Sequence, residues 1–264
     1  MTSWIQEKET IIKERKVFYK IGGRGDPILI LHGWSGSSVS WQKVQENLID
    51  QGFLVVVPDL PGFGKSEVPK TPWAVKDYAA WVKEFVEKLN LETGKIIIVG
   101  HSFGGRIIAK LLAQNFLPLK AVVLIDAAGL KKERGRLFFF FKNLGNFFLK
   151  LPFLNIFSSF FKKIFYRFFV GQTDYLKLEG VMKETFKKVV AEDLSGFFES
   201  IKVPCLILWG REDKITPLSD AYWLNKKIKD SLLEIIERAG HAPHKIFPDL
   251  ISKKITNFIF SLKN

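Results

Sequence analysis

The chain has 264 residues, 47 % of them hydrophobic, and a formal charge of +13. That apolar share is ample for a core and excludes general disorder, and the length fits one large α/β domain or two small ones. A single cysteine, Cys205, excludes an internal disulfide, and it sits in an apolar run as a core residue would.

Residues 1–9 lack the basic start and apolar run of a signal peptide. No apolar stretch reaches the ~18–20 residues needed to span a bilayer. The expectation is a cytoplasmic protein. A charge of +13 suits nucleic acid, an anionic membrane or an acidic substrate. No zinc-ligand spacing, ribonucleoprotein motif or helix-turn-helix pattern supports nucleic acid, so none is expected.

Residues 8–22 alternate well enough at Ile11, Val17, Tyr19 and Ile21 to predict two strands, closed by the turn 22–27. Ile28–Leu31 reads as a buried strand that runs into His32-Gly33-Trp34-Ser35-Gly36. A helix is predicted from Val39 to Gln51, with Gly52 at its end. Phe53–Val57 is the next buried strand, opening into the loop Pro58–Ser66. Pro72–Leu89 has Trp73, Tyr78, Trp81, Phe85 and Leu89 at roughly helical spacing.

The following stretch, Ile96 to Gly105, is an apolar β-branched run that ends in Gly100-His-Ser-Phe-Gly104. A helix-compatible segment, Arg106–Phe116, comes next. A buried strand, a sharp turn and a helix are expected, with Ser102 at the apex. Glycines two before and two after the serine let the backbone turn tightly, which lifts the hydroxyl into the open. The N-terminus of the helix would help stabilise developing negative charge. Ala121–Ile125 is another buried strand.

The α/β rhythm then breaks. Residues 130–198 contain no convincing strand, and phenylalanine and lysine dominate them. Thirteen of the 25 phenylalanines fall between 138 and 169, and residues 131–170 hold nine basic side chains against one acid, Glu133, a net +8. From Ile156 to Val170 the pattern is that of an amphipathic helix, with Phe157, Phe160, Phe161 and Phe165 opposite Lys162, Lys163 and Arg167. An all-helical cap over residues 129–199 is expected, its aromatics packed on the core, lining an acyl pocket, or resting with the basic face on anionic membrane. The rhythm resumes with the strand Cys205–Trp209, a helix Pro217–Lys229, the strand Leu232–Ile236 and a last helix Pro248–Leu262.

Apolar strands alternating with helices predict an α/β fold: a mostly parallel sheet flanked by helices, formed by residues 1–128 and 200–264. Ligands in such sheets sit beyond the carboxyl ends of the strands. His32, Asp59, Ser102, Asp126 and Asp213 all fall just after an apolar strand. A serine hydroxyl needs a base, an orienting acid and oxyanion donors to act as a nucleophile. The base candidates are His32, His101, His241 and His244. His101 adjoins Ser102, but such a turn points its side chain elsewhere. His241, in the loop after the last strand, can fold back over the strand ends, and His244 is the second choice. Asp213 and Asp126 compete for the acid. Asp213 gives the order Ser…Asp…His expected of this architecture and is placed first.

Five features in register, His32-Gly33-Trp34, Asp59-Leu-Pro-Gly-Phe-Gly-Lys-Ser66, Gly100-His-Ser-Phe-Gly104, Gly210-Arg-Glu-Asp213 and Gly240-His241, make the chain resemble the α/β-hydrolase superfamily, in its cap-bearing serine hydrolase and esterase branch. The resemblance covers residues 20–126 and 203–262. It implies Ser102 as nucleophile, His241 as base, Asp213 as acid, and the backbone N–H groups of Trp34 and Phe103 as the oxyanion hole. Dehalogenases and epoxide hydrolases of this branch carry an aspartate where Ser102 stands, which disfavours both chemistries. Relatives often have a glutamate five residues after the base, where this chain has Ile246. The expected activity is hydrolysis of a small-molecule carboxylic ester with an apolar acyl or aryl group, with no cofactor and no metal. C–C bond hydrolysis and thioester hydrolysis are rivals with the same triad. A non-catalytic ligand-binding receptor is a rival of another class, and an intact triad argues against it.

Overall fold

The computed structural model describes residues 5–130 and 179–262. The chain divides into two units, residues 1–130 with 179–264, and residues 131–178. The readings made for residues 131–178, the Phe-rich amphipathic helix among them, lie outside the described residues.

Eight strands form one sheet: β1 (Gln6–Ile12), β2 (Arg15–Gly22), β3 (Pro27–Leu31), β4 (Leu54–Pro58), β5 (Ile97–His101), β6 (Ala121–Ile125), β7 (Cys205–Gly210) and β8 (Leu232–Ile236). Their order is β1-β2-β4-β3-β5-β6-β7-β8. The hairpin β1–β2 turns at Lys13 and Glu14, both at positive φ, and β2 runs antiparallel to β4. All other neighbours are parallel. The strands that read as unbroken apolar runs, β3, β5, β6 and β7, are buried at every residue. That is the signature of a sheet covered on both faces.

Alternate residues of these strands serve the two coverings. Ile28, Ile30, Val55, Val57, Val99 and Leu208 share a cluster with Trp41, Leu48, Ile251 and Ile255 of the helical layer. That layer is α1 (Gln42–Asp50) and, later in the chain, the helix Pro248–Ser261. The other set, Leu29, Leu31, Ile98 and Leu124, is fully buried; α3 (Phe103–Ala113) packs on β3 and β5, and α2 (Val75–Lys88) packs on α3. Each buried Leu or Ile contributes about 1.5–3 kcal/mol.

Two predicted helix starts move. The helix expected from Val39 is preceded by a 3-10 turn, Ser38–Trp41, before α1 begins at Gln42. Pro72 does not open α2. Ala74 is still extended, and Asp77 reaches back to accept the Ala74 N–H at 2.7 Å, so the helix starts at Val75. Within the stretch 129–199 expected as the cap, the structure forms α4 (Gly180–Ala191) and α5 (Ser195–Phe198), which belong to the same unit as the sheet. Arg106 on α3 ties down the end of α4 by donating to the carbonyls of Val189 and Glu192. The remaining helices are α6 (Leu218–Lys227), α7 (Pro243–Ile246) and α8 (Pro248–Ser261). None of the described helices is long and apolar enough to cross a membrane.

Candidate active site

Ser102 stands between β5 and α3 at φ 50°, ψ −105°, a backbone region that costs a non-glycine residue about 1–3 kcal/mol. The surroundings enforce it. Its N–H donates to the Ile125 carbonyl of β6, and its own carbonyl accepts from the N–H groups of Gly105 and Ala128, each at 3.0 Å. Gly104 lets α3 approach β3 closely, because a Cβ there would overlap the Leu31 carbonyl. The glycine spacing read from the sequence is therefore a packing requirement of this turn.

His241 lies in the loop between β8 and α7. Ser102 Oγ donates to His241 Nε2 at 2.9 Å, and His241 Nδ1 donates to Asp213 Oδ2 at 2.7 Å. The three side chains singled out in the sequence meet in one chain of hydrogen bonds. The ring proton on Nδ1 leaves the Nε2 lone pair facing the hydroxyl, the tautomer a general base needs.

Asp213 follows β7 by three residues. Its Oδ1 accepts from the N–H groups of Ile215 (2.7 Å) and Thr216 (3.0 Å), and Thr216 Oγ1 donates to Oδ2 at 2.6 Å. Burial works to raise its pKa. The hydrogen bond and charge of His241, with Thr216 and Ile215, outweigh burial and hold it below the ordinary carboxylate value.

The alternative acid, Asp126, directly follows β6, in the left-handed region at φ 43°. Its Oδ1 accepts from the Gly210 N–H at 2.8 Å, but its buried Oδ2 has no hydrogen-bond partner among the described residues. Burial, only partly offset by that one N–H, pushes its pKa up to about 8, with Asp213 adding to the rise. It does not join the hydrogen-bond chain.

The other three histidines are buried and held neutral. Burial lowers His32 to about 4 and His101 to about 3, and takes His244 well below its usual value. His32 donates from Nδ1 to the Gly33 carbonyl and accepts the Leu60 N–H at Nε2, which pins the loop that starts at Gly33. Asp59 braces the same loop by accepting the Ser38 N–H at 2.6 Å. His244 stacks on Trp41 with ring centroids 4.1 Å apart, so the second choice for the base is a packing residue. His101 donates from Nε2 to the His241 carbonyl at 2.6 Å.

Trp34 and Phe103, named for the oxyanion hole, lie in the loop after β3 and at the first residue of α3. Their rings lie 5.2 Å apart, and Trp34 also meets Phe63 at 4.9 Å and Phe186 of α4 at 5.0 Å. The four rings form one apolar aromatic cluster. Thr216 was not found by sequence reasoning, and its one signal is the Asp-x-x-Thr spacing of a side-chain-capped turn.

Among the described residues, His101, Asp126 and His241 are the grouping that brings three metal-type donors within 4.8 Å. Both ring nitrogens of His241 and Nε2 of His101 are already committed to hydrogen bonds. A cation there would have to dismantle the serine–histidine–aspartate chain.

A family model described as alpha/beta hydrolase fold matches residues 26–170. Over 107 residues the chain is 35% identical to a soluble epoxide hydrolase of a Corynebacterium species, covering 40% of this chain and 36% of that protein. It is 23% identical to Lipase 1 of Psychrobacter immobilis, covering 89% of this chain and 77% of the lipase. The solved esterase of Exiguobacterium antarcticum superposes with a TM-score of 0.72 at 23% identity, with both chains covered completely. Proteins of one architecture thus carry the names of different reactions, and the side chains of the site must decide among them.

Proposed function

This chain belongs to the α/β-hydrolase fold family, and from that premise we propose that it is a serine hydrolase that cleaves carboxylic esters with an apolar acyl or aryl group. The observation that carries the reading is the unbroken sequence Ser102 Oγ to His241 Nε2, 2.9 Å, and His241 Nδ1 to Asp213 Oδ2, 2.7 Å. An epoxide hydrolase or dehalogenase needs a carboxylate at position 102, and this chain has a hydroxyl there.

In the proposed reaction His241 Nε2 takes the Ser102 proton as Oγ attacks the ester carbonyl. Asp213, ionised and held by Ile215 and Thr216, stabilises the imidazolium. The N–H groups of Trp34 and Phe103 receive the oxyanion. The imidazolium then protonates the leaving alkoxide, and an acyl-enzyme remains on Ser102. Water, deprotonated by the same imidazole, releases the acid and restores the serine. The cluster of Trp34, Phe63, Phe103 and Phe186 supports an apolar group on the substrate. Each methylene buried against it would contribute about 0.8 kcal/mol to specificity.

The test is turnover of p-nitrophenyl esters of increasing chain length, beside a thioester and a C–C cleavage substrate. Ser102→Ala should abolish ester turnover without altering thermal stability much. Ester turnover that survives in Ser102→Ala, or efficient cleavage of only the C–C substrate, would refute the esterase reading.

A further inference from the structure

We infer that His101 is a positioning residue that holds the loop of the catalytic base in register with the nucleophile and the oxyanion loop. The inference rests on the esterase reading only in taking Ser102, His241 and Asp213 as the machinery.

His101 is covalently next to Ser102 and is 7% exposed. A backbone carbonyl can only accept, so the 2.6 Å contact to the His241 carbonyl puts the His101 proton on Nε2. The opposite ring nitrogen faces the oxyanion loop: a Cβ built on Gly33 would lie 2.7 Å from Nδ1. The ring also packs at 4.5 Å from His244 and 5.0 Å from His241. One imidazole therefore touches the loop after β3, the turn after β5 and the loop after β8, the last of these 140 residues along the chain from His101.

The contact falls where precision matters. His241 sits in a loop, and its ring must meet Ser102 Oγ and Asp213 Oδ2 together. Fixing the carbonyl of the same residue restricts the backbone from which the ring projects. Burial holds His101 neutral, at about 3, so the tether brings no charge beside His241 across the range in which an esterase works. A misplacement of about 1 Å at a catalytic group can cost about 10²-fold in rate.

Two substitutions separate positioning from bulk. His101→Gln keeps an N–H donor at similar reach, whereas His101→Met keeps the volume and loses the donor. The expectation is a fall in kcat of about 10- to 100-fold for Met with KM little changed, and recovery of most of that loss in Gln. The low-field proton resonance of the His241–Asp213 hydrogen bond should be sharp in wild type and Gln and broadened in Met. Equal kcat in Met and wild type, or equal loss in Gln and Met, would overturn the inference. Should Met not fold, nitrogen-15 spectra of the wild-type histidines decide. A His101 that carries its proton on Nδ1 overturns the tether, and a neutral Nε2–H form supports it. Ser102→Ala, assayed in parallel, keeps the two readings apart. A dead serine variant beside a fully active Met variant leaves the esterase standing and removes only the role of His101.

Discussion

Asp126 and Asp213 follow neighbouring parallel strands, β6 and β7, and their carboxyl groups are in opposite electrostatic states. Asp213 accepts two backbone N–H groups, a hydroxyl and an imidazole. Asp126 accepts one backbone N–H, and among the described residues its buried Oδ2 has no hydrogen-bond partner. The first carboxyl is shifted down and the second up to about 8. Burial penalises both anions, so the number of donors each loop supplies separates them. A turn that folds its own N–H groups around a side chain creates a permanent anion, and a strand end that supplies one does not. Only the permanent anion can fix the tautomer of a neighbouring imidazole at neutral pH.

The largest test of this contrast is a pair of isosteric changes. Asp213→Asn should lower kcat by about 10⁴-fold, the cost of the wrong histidine tautomer in the known serine-protease case. Asp126→Asn should leave kcat near that of wild type. Steady-state kinetics of both variants on one soluble ester would show it. A reversal of the two effects would make Asp126 the acid.

Thr216→Val probes how many donors the anion needs. It removes the 2.6 Å hydroxyl contact but keeps the Thr216 backbone N–H. One lost hydrogen bond to a charged group corresponds to roughly 1.5–3 kcal/mol, so kcat should fall by about tenfold or somewhat more. The Asp213 pKa should rise towards the ordinary carboxylate value, which a carbon-13 titration of its carboxyl resonance would read. An unmoved titration would mean that the backbone donors suffice.

The smallest effect concerns stability. Asp213, with a lowered folded-state pKa, stabilises the fold above its unfolded value of about 3.9, and this is lost as pH falls through the folded value. Asp126 works in reverse. Its folded-state pKa is raised to about 8, so its contribution is full below about 3.9 and is lost as pH climbs from there towards 8. Asp126→Asn should therefore gain thermal stability relative to wild type between pH 5 and pH 8. Calorimetric melting curves at the two pH values give the difference directly, and parallel shifts would show that Asp126 is ionised throughout.

The strands were legible because five-residue apolar runs such as Ala121–Ile125 have no other use in a parallel sheet. Ser102 was legible because the glycines around it are imposed locally, by the approach of α3 to β3. His241 and Asp213 could be ranked above their rivals by chain order and by the loops they occupy. Other features were not readable. That Asp126 is short of donors depends on the Gly210 N–H, 84 residues away. The His101 tether depends on a carbonyl 140 residues on. Pro72 was a misleading helix signal, since the Asp77 side chain caps the backbone two residues beyond it.

Sheet order also sets how the site fails. Ser102 follows β5, which is paired on both sides and wholly buried, whereas His241 follows β8, the outermost strand, whose first four residues are only partly shielded or exposed. Cooperative units of a fold open with different free energies, and a half-covered edge belongs at the low end. Detachment of β8 would carry the imidazole away while the central strands stay closed. Amide protons of β8 should then exchange ahead of those in β5, and denaturant should silence the enzyme before its core melts. Any effort to lengthen its working life would do best to begin at that edge, far from the serine in sequence.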